Sequence, residues 1–235
     1  MRLKLYIKLF ILSLIISLIV IIKTHNIDKK ISSEDEAIIE MIFDSLEVNK
    51  TDIHLNFENQ IRFINTVNRI VINTIEPSSF GIPLGQKREP KNIIENKYGQ
   101  CFDRSRLIEK ILIHYGFKTR HLSIYKRDNR TSAIKTIFTP QSPSHATSEV
   151  KTLKGWLIID SNSNWISLSK EKVPLAFKDL SDKKLFFPID DSLVPYYHNE
   201  NIGIYGLYSR HGLFYPPFNK IPDFNFRELF YNLGI

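Results

Sequence analysis

A chain of 235 residues, 43% hydrophobic and 24% charged, can build one domain with a sizeable core and is marginal for two. Its net charge of +7 is concentrated at the start: Arg2, Lys4, Lys8, Lys23, Lys29 and Lys30 against Asp28 put +5 in the first 30 residues and leave +2 for the rest. No Lys/Arg stripe interleaved with aromatics follows, which argues against nucleic-acid binding, and the single cysteine excludes an intrachain disulfide and a Cys-rich zinc site.

From Leu9 to Ile22 every residue is apolar except Ser13 and Ser17, and Leu3, Leu5, Tyr6 and Ile7 extend the run. The strict apolar core is shorter than the roughly 20 residues a spanning helix needs, but Lys8 can reach its ammonium up to the headgroups. The run predicts an uncleaved N-terminal membrane anchor over residues 1–30, spanning at about 5–22. A cleaved signal peptide shares the basic start and short apolar core, yet the run ends Ile21-Ile22-Lys23-Thr24-His25 with no A-x-A-like site. A buried core helix would have no use for the basic flanks. The small excess of positive charge before the span places the rest of the chain on the extracytoplasmic side.

Residues 31–235 are expected to form one domain. Ser33-Glu34-Asp35-Glu36 reads as a capping box, followed at helical spacing by Ala37, Ile38, Met41, Ile42 and Leu46. A second amphipathic helix fits about Phe57 to Ile75, through Ile61, Ile64, Val67 and Val71. Glu76 to Pro90 reads as a loop, Lys91 to Asn96 as a short helical turn broken at Lys97-Tyr98-Gly99. From Cys101 helical spacing resumes through Leu107, Ile108, Ile111 and Leu112 and stops at His114-Tyr115-Gly116, where glycine ends the helix. Phe117 to Tyr125 reads as a strand. Lys126 to Ser144 is a long polar loop with Pro140 and Pro143, with room for a strand around Ile134–Phe138. His145 to Val150 and Trp156 to Asp160 then form the strands of an antiparallel hairpin turning at Lys151–Gly155. The fold class is α+β: helices packed on a mostly antiparallel sheet.

Cys101 therefore sits in the first turn of a helix. Unpaired N–H groups there carry partial positive charge, favour a thiolate and can donate to an oxyanion. Gly99, two residues earlier, allows close backbone approach. The hairpin brings His145 and Asp160 together, since opposite positions on paired strands lie about 5 Å apart. An imidazole activates a thiol as base and cation, and a carboxylate on its other nitrogen fixes the ring. His121 could replace His145 only with a different hairpin register. Asp103 and Arg104, in the first helical turn, suit structural or substrate-edge roles, and Trp156 suits the core. The C-terminal aromatics, Tyr196-Tyr197-His198 and Tyr205 to Phe218, are read as packing over the core, with a substrate groove as the functional option.

The ordered set Tyr98-Gly99-Gln100-Cys101, helix, Gly116-Phe117-Lys118-Thr119-Arg120, His145-Ala146 with Glu149-Val150, then Trp156 and Asp160, resembles the transglutaminase-like superfamily over about residues 90–165. The resemblance implies a core shared with papain-like cysteine proteases, with Cys101 as nucleophile, His145 as general base and acid, and Asp160 as orienter. It implies acyl transfer from an amide of a peptide- or protein-like substrate, by hydrolysis, deamidation or amine transfer. One departure stands out: the family often has Trp two residues after the histidine, and here Thr147 occupies that place. The competing functional class is a non-catalytic module of the same fold that binds a peptide or envelope polymer, or an accessory protein of cell-surface polymer assembly. Neither a metal nor a cofactor is expected, because the histidines are scattered and no calcium-loop pattern occurs.

Overall fold

The computed structural model of the protein describes residues 2–43, 50–83, 86–127, 131–139, 142–181, 192–197, 200–209 and 221–234. Its first element, α1 (Arg2–His25), exposes most of its apolar side chains from Leu5 to Ile22, Phe10 among them. By length and composition Lys4–His25 can cross a membrane, a property that a signal sequence near an N-terminus shares. The helix runs past the expected end near residue 22. Thr24 donates back to the Val20 carbonyl at 2.8 Å, and Lys23 and His25 lie in the last turn, where positive charge complements the dipole.

In α2 (Ser33–Phe43) the capping box falls one residue earlier than the sequence pattern suggests. Asp35 N–H donates to Ser32 Oγ at 3.1 Å, and Ser32 N–H donates to Asp35 Oδ2 at 3.0 Å. Two adjacent serines offer the same cap, and the Asp35 carboxylate, held by Lys110 Nζ at 2.9 Å, selects Ser32. The buried stripe is accordingly Asp35, Ile39 and Phe43, while Ala37 and Met41 are exposed. Leu46 lies outside the described residues.

A single turn, α3 (Lys50–Ile53), precedes α4 (Phe57–Thr74), whose first turn is capped by Asn56 accepting from Asn59 N–H at 2.8 Å. Ile64, Val67, Val71 and Ile75 are buried as their spacing requires, with Ile61 half-buried at the edge. The stretch after α4 is not all loop. Its β1 (Glu76–Pro77) lies beyond the helix, α5 (Pro90–Asn96) follows, and β2 (Tyr98–Gly99) pairs in parallel with β1. Then comes α6 (Cys101–His114), ending at Gly116 with a φ of 85° that glycine adopts without strain.

After β3 (Lys118–Tyr125), Ser132 accepts from Lys135 N–H at 3.2 Å and starts a helix, α7 (Ala133–Phe138), where the sequence left room for a strand. Next are β4 (Ser144–Thr152) and β5 (Gly155–Ile159), then β6 (Ile202–Tyr205), giving an antiparallel sheet of order β5-β4-β3-β6. A small pair, β7 (Leu207–Ser209) and β8 (Asp223–Phe224), follows. The fold is mixed α+β, with an apolar N-terminal helix and an antiparallel sheet.

Both faces of that sheet are covered. Val150, Leu157 and Ile159 meet Leu107, Ile108, Ile111 and Leu112 of α6 and Ile64, Val67 and Val71 of α4. On the opposite face Leu122, Ile124 and Ile158 meet Leu175, Leu180, Leu193 and Tyr197. Helix α6 is buried on its polar side as well. Arg106 Nη2 bonds Glu89 at 2.9 Å, and Glu109 accepts from Ser148, from Tyr208 and from His121 at 2.7 Å. Residues 26–30, before the expected domain start at 31, are tied into this packing. Ile27 N–H donates to Phe224 O at 2.6 Å, and Arg106 Nη2 to Asp28 O at 2.5 Å. Lys29 Nζ reaches the Thr119 carbonyl at 3.0 Å and also Glu228.

Candidate active site

Cys101 is the first residue of α6, directly after Gln100 at the cap. Asp103, at the third helical position, turns back to accept from Gln100 N–H at 2.8 Å, and Gln100 Nε2 donates to Ser79 O at 2.6 Å. Gly99 serves this turn rather than a substrate, since a Cβ there would come within 2.8 Å of Asp103 Cβ. Asp103 itself is fully buried and paired with Arg88 at 2.5 Å. This fixes the start of α6 and leaves the Cys101 thiol half-buried at the end of the sheet.

His145 enters from the second residue of β4, and Asp160 follows the last residue of β5. They are not directly opposite. The paired positions end at Ser148–Ile159, so one further step sets Asp160 beside Thr147, and the two side chains meet along the diagonal, His145 Nε2 to Asp160 Oδ2 at 2.7 Å. With Nε2 taken, Nδ1 is the ring nitrogen left for the Cys101 thiol, whose ionisation the His145 ring favours. Ala146 N–H donates to Cys101 Sγ at 3.4 Å. The structure thus brings Cys101, His145 and Asp160 into one line. It sets His121 elsewhere: that ring is fully buried, bonded to Glu109 and stacked on Tyr208 with centroids 4.1 Å apart.

The electrostatics follow from the line. Burial pushes the Cys101 thiol up, but the hydrogen bond and charge of His145, the Ala146 N–H and the charge of Arg104 together bring it below its ordinary 9.0. Burial alone would lower His145, whereas the Asp160 charge and hydrogen bond and the contact with Cys101 carry it up to about 10. Asp160 is pushed up by burial and held below its ordinary value by His145, the Tyr197 hydroxyl and the Asn162 N–H. Between the lowered thiol and the raised imidazole lies a pH window in which the thiolate and the imidazolium coexist.

Tyr196 and Tyr197, read from sequence as packing over the core, do pack there, and both also touch the candidate site. Tyr197, fully buried, donates to Asp160 Oδ2 at 2.5 Å and to Thr147 Oγ1 at 3.1 Å. Tyr196 packs on the His145 ring at 5.2 Å between centroids. No spacing rule ties a tyrosine 37 residues after Asp160 to that carboxylate; only the density of aromatics hinted at it. Asn68, on α4, donates to the Asp160 carbonyl at 2.7 Å and ties the helical layer to the site. Arg104 is buried beside Cys101, whereas Trp156 is half-buried and stacks on the Arg120 guanidinium, 4.1 Å from its centroid. His198 and residues 210–218 lie outside the described residues.

Among the described residues one cluster has ligand-type atoms close together, Glu36, Glu40 and His114. Lys50 Nζ already stands 3.3 Å from Glu40 Oε1 and 3.0 Å from His114 Nε2, so a cation is in place there without a metal.

No family model matches the sequence, and no curated protein matches it. Among solved structures the chain is similar to one described as a "Putative Cysteine Protease from Cytophaga hutchinsonii", with 12% identity and a TM-score of 0.39. The match covers 57% of this chain and 39% of that chain, so the chain spans well under half of that protein's length.

Proposed function

We propose that the chain is a membrane-anchored cysteine enzyme with a transglutaminase-like, papain-related core that transfers an acyl group from an amide through Cys101. The observation that carries this reading is the convergence of a helix-start thiol, bonded by Ala146 N–H at 3.4 Å, with the His145 ring that Asp160 holds at 2.7 Å. A binding module has no need of a thiolate, an imidazolium and an orienting carboxylate held in sequence.

The chemistry follows from the roles. The Cys101 thiolate attacks the amide carbonyl carbon, the C=O π electrons move to oxygen, and the oxyanion forms beside the N–H groups at the start of α6. Collapse breaks the C–N bond, and His145 Nδ1–H protonates the departing nitrogen, leaving a thioester on Cys101 and a neutral imidazole. Water or an amine then gives its proton to His145 as it attacks the thioester, and the thiolate leaves. Asp160 keeps the ring oriented and its proton on Nε2 throughout, as in a triad of this type. The substrate is a peptide- or protein-like amide. The small excess of basic residues before the span favours a domain held outside the cytoplasmic membrane by α1, as one domain that starts near Asn26.

The test uses the full-length chain in detergent, where Cys101 is the sole thiol. Its alkylation rate is followed against pH beside His145→Ala. The reading expects reaction well below the free-thiol value of about 8.5, lost in the variant. It then expects turnover of a peptide amide that Cys101→Ala abolishes. A thiol that titrates ordinarily in both proteins would sink it and leave the binding module in its place.

A further inference from the structure

Arg104 lies one helical turn beyond Cys101, at a spacing that puts both side chains on the same face of α6. Only 2% of it is exposed. Its Nη2 donates to Asn162 Oδ1, in the loop that follows Asp160, and its Nε has no hydrogen-bond partner among the described residues. No carboxylate forms an ion pair with it among those residues, although its buried neighbours are matched: Asp103 with Arg88, Asp160 with His145, Lys110 with Asp35.

Counting charges at the site gives the consequence. Asp160 and protonated His145 cancel. With a neutral thiol, buried Arg104 leaves one positive charge uncompensated, which is costly. With a thiolate the sum is zero. While His145 keeps its proton, only an ionised Cys101 balances the guanidinium; a neutral thiol beside a neutral imidazole gives the same zero sum, so Arg104 bears on loss of the thiol proton to solvent and not on its transfer to His145.

We propose that Arg104 is a positioning residue that supplies the second cation of the site and holds Cys101 as the thiolate by closing the buried charge balance. This rests on the reading of Cys101 as nucleophile. The other titratable groups around Cys101 and Arg104 do not do the same work. His145 is matched to Asp160, Asp103 is spent on Arg88, Tyr197 is a neutral phenol, and Glu76 on β1 is exposed to water. Burial depresses the guanidinium, and Cys101 and Asp160 are the charges that most restore it, as mutual attraction requires. Asn162 acts as the tether that keeps the planar fork in place.

The experiment measures the alkylation rate of Cys101 against pH in the full-length chain in detergent, for the wild type, Arg104→Met, Arg104→Lys, Asn162→Ala and His145→Ala. Arg104→Met is expected to raise the thiol inflection by about one unit, seen as about tenfold slower alkylation below it, while Arg104→Lys stays near the wild type. Asn162→Ala, a change at an exposed loop position, is expected to shift the inflection the same way by about threefold in rate, and it decides the matter if Arg104→Met does not fold. A merely structural arginine would leave the inflection in place, or would lose it equally in the lysine variant, and either result overturns the proposal. If the wild-type inflection is low and His145→Ala raises it while neither Arg104→Met nor Asn162→Ala moves it, the nucleophile stands and this inference falls. An ordinary wild-type inflection removes both.

Discussion

Asp160→Asn removes one charge from the site with almost no change of shape. The amide Oδ1 can still accept from His145 Nε2–H, so the ring keeps its partner and loses only the carboxylate. At 2.7 Å the imidazolium–carboxylate attraction is about 6 kcal/mol with an effective dielectric constant near 20. His145 is carried from 6.5 to about 10, roughly 5 kcal/mol, so the attraction covers the shift and the remainder offsets burial of the ring. Without Asp160, burial continues to disfavour the charged ring, and His145 falls to its ordinary value or below. The thiolate then loses its adjacent cation and Cys101 returns toward 9.0. A thiol at that value is about 1% ionised at pH 7, so alkylation at neutrality is expected to slow, by at most about a hundredfold, and the limb of the profile near pH 10 to move down by several units. The assay is the pH–rate profile of alkylation in the full-length chain, with an intact near-ultraviolet circular dichroism spectrum as control. Superimposable wild-type and Asp160→Asn profiles would refute the view that this pair governs the thiol.

Three further outcomes follow from the same contacts. Tyr197→Phe strips a buried carboxylate of a 2.5 Å donor and should lower stability by about 2–3 kcal/mol in urea unfolding; an unchanged midpoint would show that the hydroxyl contributes nothing. Lys29→Ala leaves buried Glu228 without its cation and should cost about 3 kcal/mol or more, and a chain begun at Ser32 should show much less helix by circular dichroism than one begun at His25, so equal spectra and stabilities would remove Lys29 from the core. Glu109 would be raised by burial, yet Lys29 and His121 push it down to about 2. Its contribution to stability is thus present above 4.5 and lost as pH falls toward 2, and Glu109→Gln should lose that part of the acid dependence, measured as urea midpoints across the window.

Much of the fold could be read because local chemistry and global packing agree along α4, α6 and the β4–β5 hairpin. Ile64, Val67 and Val71 repeat at helical spacing and are buried. A glycine ends α6, and a long apolar run makes β5 a buried strand. The errors came where one local signal had a near equal beside it. Ser32 and Ser33 are adjacent hydroxyls, and only the distant Lys110, through Asp35, chooses between them. Ile134 to Phe138 has strand-like residues, but Ser132 caps a helix there. That Cys101, His145 and Asp160 would lie together was legible because they fall at element boundaries that local sequence marks. What supports the triad was not: Tyr197 meets Asp160 across 37 residues, Asn68 across 92, and Lys29 meets Glu228 across 199. Contacts at such separations leave no period or spacing in the chain.

The same long-range contacts bear on how the proposed anchor and the proposed chemistry are joined. α1 ends at His25, and there is no free tether after it: Ile27 is buried, Asp28 and Lys30 offer carbonyls to Arg106 and Lys110, and Lys29 enters the carboxylate cluster beneath β3. Arg106 and Lys110 belong to α6, the helix that begins with Cys101, and Arg106 is five residues along it, about 7–8 Å at 1.5 Å per residue. On the proposed reading the nucleophile therefore stands on an element clamped directly to the segment that leaves the bilayer. The clamp uses paired charges on both sides, which are costly to separate once buried, so the domain cannot swing away on a flexible stalk without breaking its own core. An amide substrate must then be presented close to the membrane surface, and a soluble form cut after His25 would keep the clamp, and with it the fold, while losing that placement.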